Sequence, residues 1–309
     1  VSGGFLLFVV FAIKAAILPV GFWLPKTYAV ATTPVAAIFT IMTKVGIYAI
    51  LRVNGTVFND EYVQNILSNV LLPIGLITSV YGVIGAIGSE RLRRFIGFMI
   101  LSSIGTIIVA LSLMTTDAWT AALYYLVHST IIAAAFYLLS GWITSQRSQF
   151  KDHFKNAPVM KQNTLVSICF FIIALMMAGL PPFSGFFGKV FVLQASQASP
   201  YQLTIIITVL IVSLLSIIAF TRVGFVLFWR STAPELDEKE KAFEEYANLP
   251  SHPPARNDKT IYLMLSGLVL YVVFAHPIMQ YLEKTSAQLQ NAQLYYDAVL
   301  KVDSDNKVI

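Results

Sequence analysis

The sequence predicts an all-α membrane protein with eight transmembrane helices, on three observations. Of its 309 residues, 57% are hydrophobic and 12% charged, whereas soluble domains carry about 25% charged residues. The apolar residues gather in runs near or above the ~18–20 needed to cross a bilayer. The runs show neither the short periodicity of a soluble core nor the alternating ~10-residue strands of a membrane barrel. Backbone polar groups in lipid must be satisfied within their own segment, so the spans are read as helices.

The predicted spans fall at about 4–24, 33–53, 68–88, 95–115, 118–142, 163–197, 203–229 and 260–281. Span one carries Lys14 about ten residues in, ~15 Å deep at 1.5 Å per residue, and meets Leu18-Pro19-Val20-Gly21 near its end. Span two carries Thr40, Thr43, Lys44 and Tyr48 at i, i+3, i+4 and i+8, a polar stripe on one helix face. Span five holds Tyr124 and His128 near mid-depth. Span six is too long for a straight crossing, with about 35 residues between Gln162 and Ser196. It contains Gly179-Leu180-Pro181-Pro182-Phe183-Ser184-Gly185-Phe186-Phe187-Gly188-Lys189. Pro181, Pro182 and the glycines, Gly185 among them, interrupt the helix and free backbone carbonyls, as Pro19 does more mildly in span one. Broken helices at membrane depth line cavities and recur at transporter ion sites. The two breaks are expected to line a path, each beside a lysine.

The sequence begins at Val1, with no charge before Lys14. A signal peptide would begin with Met and a basic region. The expectation is one transmembrane domain over 1–309, starting inside or just before a span and lacking an N-terminal part.

The basic residues set an orientation. The connections after spans one, three, five and seven hold thirteen Lys and Arg, including Lys26, Arg91, Arg93, Arg94 and Arg147; the other side holds four: Arg52, Lys284, Lys301 and Lys307. The positive-inside rule places the richer side in the cytoplasm. The hydrophilic loop at about 231–259 is then cytoplasmic and the tail at about 282–309 periplasmic. The loop pairs Glu235 with Lys239 and Asp237 with Lys241 at i,i+4 before Leu249-Pro250-Ser251-His252-Pro253-Pro254 ends any helix. A solvated connector is its plain reading, a docking surface the sharper one.

Four basic residues fall within spans: Lys14, Lys44, Lys189 and Arg222. A mid-bilayer charge costs at least ~2.5–3.5 kcal/mol. Arg222 lies within two turns of a helix end and can snorkel. Lys14 and Lys44 lie too deep for that, and no Asp or Glu occurs at mid-depth in any span. An acidic partner from elsewhere remains one reading. The other is a hydrated path: burial lowers a lysine's proton affinity toward neutral pH, so Lys14, Lys44, His128 and Lys189 form a candidate proton relay, with Thr40, Thr43, Tyr48 and Tyr124 as polar lining. A helical histidine is often a satisfied core residue, but its pKa near 6.5 also suits proton transfer.

Other chemistries find no support. The net charge of +5 lies in loops, which argues against nucleic acid. Cys169 is the single cysteine, so no intrachain disulfide is possible. No nucleotide loop, metal cluster or nucleophile triad is present, so neither cofactor nor metal is expected.

These residues resemble a known family. Ala12-Ile13-Lys14-Ala15-Ala16-Ile17-Leu18-Pro19 with Trp23-Leu24-Pro25 is similar to the lysine-bearing broken helix seven of antiporter-like subunits, found in Mrp antiporters, respiratory complex I and membrane-bound hydrogenases. Thr32-Thr33-Pro34-Val35-Ala36-Ala37 with Thr43-Lys44-Val45-Gly46-Ile47-Tyr48 resembles helix eight and its lysine. Gly179-Leu180-Pro181-Pro182 with Gly185-Phe186-Phe187-Gly188-Lys189 resembles the broken helix twelve. The resemblance implies helices seven to fourteen of a fourteen-helix fold, and a helix-five glutamate outside this sequence as partner of Lys14. The stretch Ala287-Gln288-Leu289 through Leu300, with Leu227-Phe228-Trp229-Arg230, is similar to the D subunits of Mrp/Pha-type monovalent cation/proton antiporters. One departure thins the relay: Ala133 stands where many relatives carry a lysine, five residues after the histidine.

The resemblance implies a proton-translocating subunit of a multisubunit Na⁺(K⁺)/H⁺ antiporter in a bacterial inner membrane. Its partners would be other antiporter subunits, protons, Na⁺ or K⁺, and the lipid bilayer. The alternative is a proton-pumping subunit of a complex I-like NADH:quinone oxidoreductase or membrane-bound hydrogenase. A scaffold without transport would not need mid-membrane charge.

Overall fold

The computed structural model describes residues 2–56, 61–147, 150–157, 159–229 and 258–291. Most of the 231–259 loop and of the 282–309 tail therefore lies outside the described residues. Among those described, eleven α-helices occur and no strand: α1 (Ser2–Ala15), α2 (Trp23–Val30), α3 (Thr33–Thr56), α4 (Glu61–Ile87), α5 (Leu92–Ser112), α6 (Thr116–Ser145), α7 (Asn163–Ala178), α8 (Ser184–Ala195), α9 (Gln202–Gly224), α10 (Asp258–Val273) and α11 (Ala275–Gln290). A π-helical turn, Phe225–Trp229, extends α9.

Each predicted span falls on a helix or a helix pair. Helices α3, α4, α5, α6 and α9 are each long and apolar enough to cross a membrane. Span one, predicted at about 4–24, covers α1, the break after it and only the first two residues of α2, and span six covers the pair α7–α8. The first break is wider than the sequence suggests, because Ala16 adopts a left-handed conformation (φ 58°) three residues before Pro19. The Ile13 carbonyl freed there accepts from Ala16 N and from Trp23 Nε1, at 3.1 and 3.0 Å. Span eight also differs in extent: α10 ends at Val273, and α11 bends away by 82°. Pro277 lacks the N–H that would have bonded the Val273 carbonyl, so the turn linking α10 to α11 cannot close.

Helix α5 is the centre of the bundle, buried along its length. Its hydroxyls are tolerated there because Ser103, Thr106 and Ser112 return their protons to carbonyls one turn back. Small residues let α4 approach closely: Gly82 lies on the backbone of Ser102, and Gly105 on that of Ser79. Helix α9 instead turns Leu203, Leu210, Leu214 and Ile218 outward, the lipid-facing pattern of a peripheral helix.

Arginines close one end of the bundle. Arg93 donates to the Ala31 carbonyl at 3.1 Å and to Thr33 Oγ1 at 2.6 Å. Arg222 donates to the Ile87 carbonyl at the end of α4, which gives the structural reading of this arginine a partner. Arg147 reaches the carbonyls of Lys151, His153 and Lys155. Burial pulls its guanidinium down to about 10 against the opposing pull of Asp152, so it stays charged at neutral pH. Cations suit these sites because carbonyls at helix C-termini and in loops carry partial negative charge. At the other end α11 lies across the bundle. Its buried stripe of Leu282, Ser286 and Leu289 follows a helical repeat. Ser286 Oγ donates to the Thr116 carbonyl at 2.9 Å, and Thr116 Oγ1 to Gln290 Oε1 at 2.7 Å.

Candidate functional site

The four candidate relay residues lie on helices that pack in sequence: α1 on α3, α3 on α6, α6 on α8, and α8 on α9. Lys14 is in the last turn of α1, beside the carbonyls that the first break frees. A Cβ on Gly46 of α3 would lie within 3.0 Å of the Ala15 Cα and the Lys14 carbonyl carbon. The close approach that glycine permits sets Lys14 beside the segment carrying Lys44. The Lys14 side chain itself is on the outer surface.

Lys44 is 2% exposed, and its Nζ is fully buried with no hydrogen-bond partner. Thr40 and Thr43 are buried with it. Thr40 Oγ1 donates to the Ala37 carbonyl at 2.7 Å and approaches the Thr130 carbonyl of α6 at 3.4 Å. Tyr48 does not join them and is 47% exposed. Eight residues on a 3.6-residue repeat turn about 80° round the axis, which carries Tyr48 off the face packed against α6.

His128 is 1% exposed and sits between the halves of the second broken helix. Its Nδ1 lies 2.8 Å from Ser184 Oγ of α8, and its Nε2 and the Met176 carbonyl of α7 both border the space at Gly185. Tyr125 stacks on the ring at 5.6 Å. Lys44 and Lys189 both act on it electrostatically, so the fold brings these three groups together. Gly185 is buried against the ring.

Lys189 is 7% exposed. Its Nζ donates to the Ala178 carbonyl at 2.7 Å and to Ser213 Oγ of α9 at 2.9 Å. Ala178 is the last residue of α7, and Gly179 follows at φ 81°. The two breaks differ: Lys189 reaches back from α8 to the negative end of the α7 dipole, whereas Lys14 belongs to the last turn of α1 and its side chain is exposed. Pro19, Pro181 and Pro182 stand at the breaks and face outward. Tyr124 is buried, but its hydroxyl has no hydrogen-bond partner. Its ring packs on Tyr271 at 4.6 Å and Phe191 at 5.2 Å. Ala133 is fully buried.

Ser184 and Ser213 are functional candidates that sequence reasoning does not single out. Ser184 lies within the proline-rich break, where a hydroxyl beside two prolines is a usable signal. Ser213 is one of several hydroxyls in an apolar helix, and nothing in its spacing points to Lys189, 24 residues away.

The fold and this arrangement define a multi-pass membrane protein built round two interrupted, lysine-bearing helices. The chain belongs to the NADH:quinone oxidoreductase/Mrp antiporter transmembrane family, whose description matches residues 1–216. It is 30% identical over 297 residues to the D subunit of a Na(+)/H(+) antiporter of Alkalihalophilus pseudofirmus, covering 95% of this chain and 57% of the relative. It is 28% identical to the D subunit of a probable K(+)/H(+) antiporter of Rhizobium meliloti, covering 96% of this chain and 58% of the relative. The chain thus spans somewhat over half the length of these relatives. Both relatives are bacterial, and the family and the apolar helices of this chain are those of a multi-pass membrane protein. Among solved structures, it superposes on the Mrp complex from Dietzia sp. DQ12-45-1b with a TM-score of 0.77 at 24% identity, covering 95% of this chain and 60% of that one. It superposes on respiratory complex I from Thermus thermophilus with a TM-score of 0.69 at 21% identity, covering 92% and 58%. At these identities the likeness is one of fold.

Proposed function

We propose that the chain is a proton-translocating part of a multisubunit Na⁺(K⁺)/H⁺ antiporter, working with the other antiporter subunits. Protons move along Lys14, Lys44, His128 and Lys189. The row of packed helices that carries these groups past two helix breaks is the observation behind this reading. The second break supplies the Ala178 carbonyl that stabilises the Lys189 ammonium, and the spans themselves supply no mid-depth carboxylate to neutralise one. A proton arriving at one lysine raises the cost of charge on the next and drives its proton onward. The exposed Lys14 faces outward for an acidic partner beyond this sequence. The arginine-capped end is cytoplasmic on this reading, by the excess of basic residues there. The names of the relatives at 28–30% identity favour the antiporter over the respiratory alternative.

The test uses everted vesicles containing the complete antiporter and measures dissipation of a pH gradient by added Na⁺ or K⁺. Lys14→Ala and Lys189→Ala are expected to insert normally and to lose roughly a hundredfold in exchange, the lower range for a positioned proton carrier. Lys14→Arg and Lys189→Arg are expected to fail nearly as badly, because guanidinium keeps its proton at physiological pH. Near-normal exchange in both arginine variants, at normal abundance on a blot, would leave these lysines only a structural role.

A further inference from the structure

His128 is held by two half-helices at once. Ser184, fully buried at the start of α8, places Oγ 2.8 Å from Nδ1. The other ring nitrogen faces α7. A Cβ built on Gly185 would collide with the Met176 carbonyl and lie 2.9 Å from His128 Nε2, so that carbonyl and Nε2 border the same small space. A carbonyl only accepts, so an Nε2 turned toward it carries the hydrogen. In the neutral ring Nδ1 is then the acceptor, and the Ser184 hydroxyl must donate to it.

These roles leave the ring one open position. With Nε2 turned toward the Met176 carbonyl, a proton is taken and released at Nδ1, where Ser184 stands. We propose that Ser184 is the positioning residue for proton transfer at His128, its hydroxyl switching between donor and acceptor each time the ring gains or loses a proton. When Lys44 or Lys189 gives up a proton, that lysine becomes a neutral amine and the ring an imidazolium. Nδ1–H then donates to a lone pair of Ser184 Oγ, and the serine O–H turns away to another acceptor. Release reverses both movements, and the serine gains and loses no proton overall. The groups facing this exchange are Lys44 from α3, Tyr125 from α6 and Lys189 from α8. The inference rests on the relay reading above.

The test is a double-mutant cycle in the complete antiporter, read in everted vesicles with abundance checked by blot. Ser184→Ala is expected to lower the maximal exchange rate about tenfold, the factor one net hydrogen bond can contribute. The apparent KM for Na⁺ or K⁺ should not move, because the serine acts on the proton. Ser184→Thr, which keeps a hydroxyl at the same atom, should recover most of the rate. The double variant with His128→Gln should be no slower than His128→Gln alone, since Ser184 acts only through the ring. A wild-type rate in Ser184→Ala, a Ser184→Thr variant as slow as Ser184→Ala at normal abundance, a raised KM at unchanged maximal rate, or multiplied losses in the double variant would each overturn the assignment. If His128→Gln itself exchanges at the wild-type rate, the relay through His128 falls, and this inference with it. If His128→Gln is slow while Ser184→Ala is not, the inference alone falls.

Discussion

Lys44 and Lys189 are buried to a similar degree, yet only one has partners. Lys189 Nζ donates to the Ala178 carbonyl and Ser213 Oγ, and hydrogen bonds to a charged group contribute about 1.5–3 kcal/mol. Lys44 Nζ has no such bond, and a buried charge without a partner is costly. A group retained at that cost serves transport better than folding. Lys44→Met therefore separates the roles. It should raise the thermal stability of the purified complex, because an apolar side chain of similar length replaces an unpartnered ammonium; such replacements range from neutral to ~1–4 kcal/mol stabilising. The same variant should lose cation-driven proton exchange. A drop in melting temperature would instead assign Lys44 a stabilising partner.

At the scale of elements, the second broken helix depends on Gly179. Its φ of 81° ends α7 in the left-handed region, where a residue with a Cβ costs roughly 1–2 kcal/mol. A Cβ there would also stand 2.8 Å from Lys189 Cδ and 3.1 Å from its Nζ. Gly179→Ala should thus strain the break and displace the ammonium from the Ala178 carbonyl. Melting of the purified complex should fall, and exchange should fall further than that loss of stability explains. Gly267→Ala in α10 is the matched control: a Cβ there meets nothing within 4 Å, and alanine suits a helix better than glycine. Equal behaviour of the two variants would remove Gly179 from the account of the site.

Across the whole molecule, α11 and the connection between α6 and α7 lie at opposite ends of the bundle. The first is tied to Thr116 at the start of α6. The second pairs with the start of α5, where Leu92 N donates to the Asp152 carbonyl at 2.8 Å. The sequence assigns thirteen basic residues to the connections on the side of the α6–α7 connection and four to the other side, so Asn156 should face the cytoplasm and Gln288 the periplasm. Both are exposed, and the native Cys169 is buried. With Cys169 replaced by Ala, an impermeant thiol label on intact cells should reach Gln288→Cys and miss Asn156→Cys. The reverse pattern would invert the orientation.

The sequence by itself determined the helices, their approximate limits, both interruptions and the four titratable groups. Each follows from a local rule: apolar length against bilayer thickness, proline's missing N–H, and the cost of charge in lipid. The bend at Pro277 was not among them, because hydropathy carried the eighth span straight through it. Only the tertiary structure decided the partners. Lys44 is enclosed while Lys14 is not, Tyr48 turns away from the stripe it shares in sequence, and Ser184 and Ser213 come to His128 and Lys189 across 56 and 24 residues. Such pairings depend on which faces of separate helices meet. That is fixed by close approaches such as Gly46 against α1 and Gly185 against α7, and no local pattern in either helix encodes the face its neighbour presents.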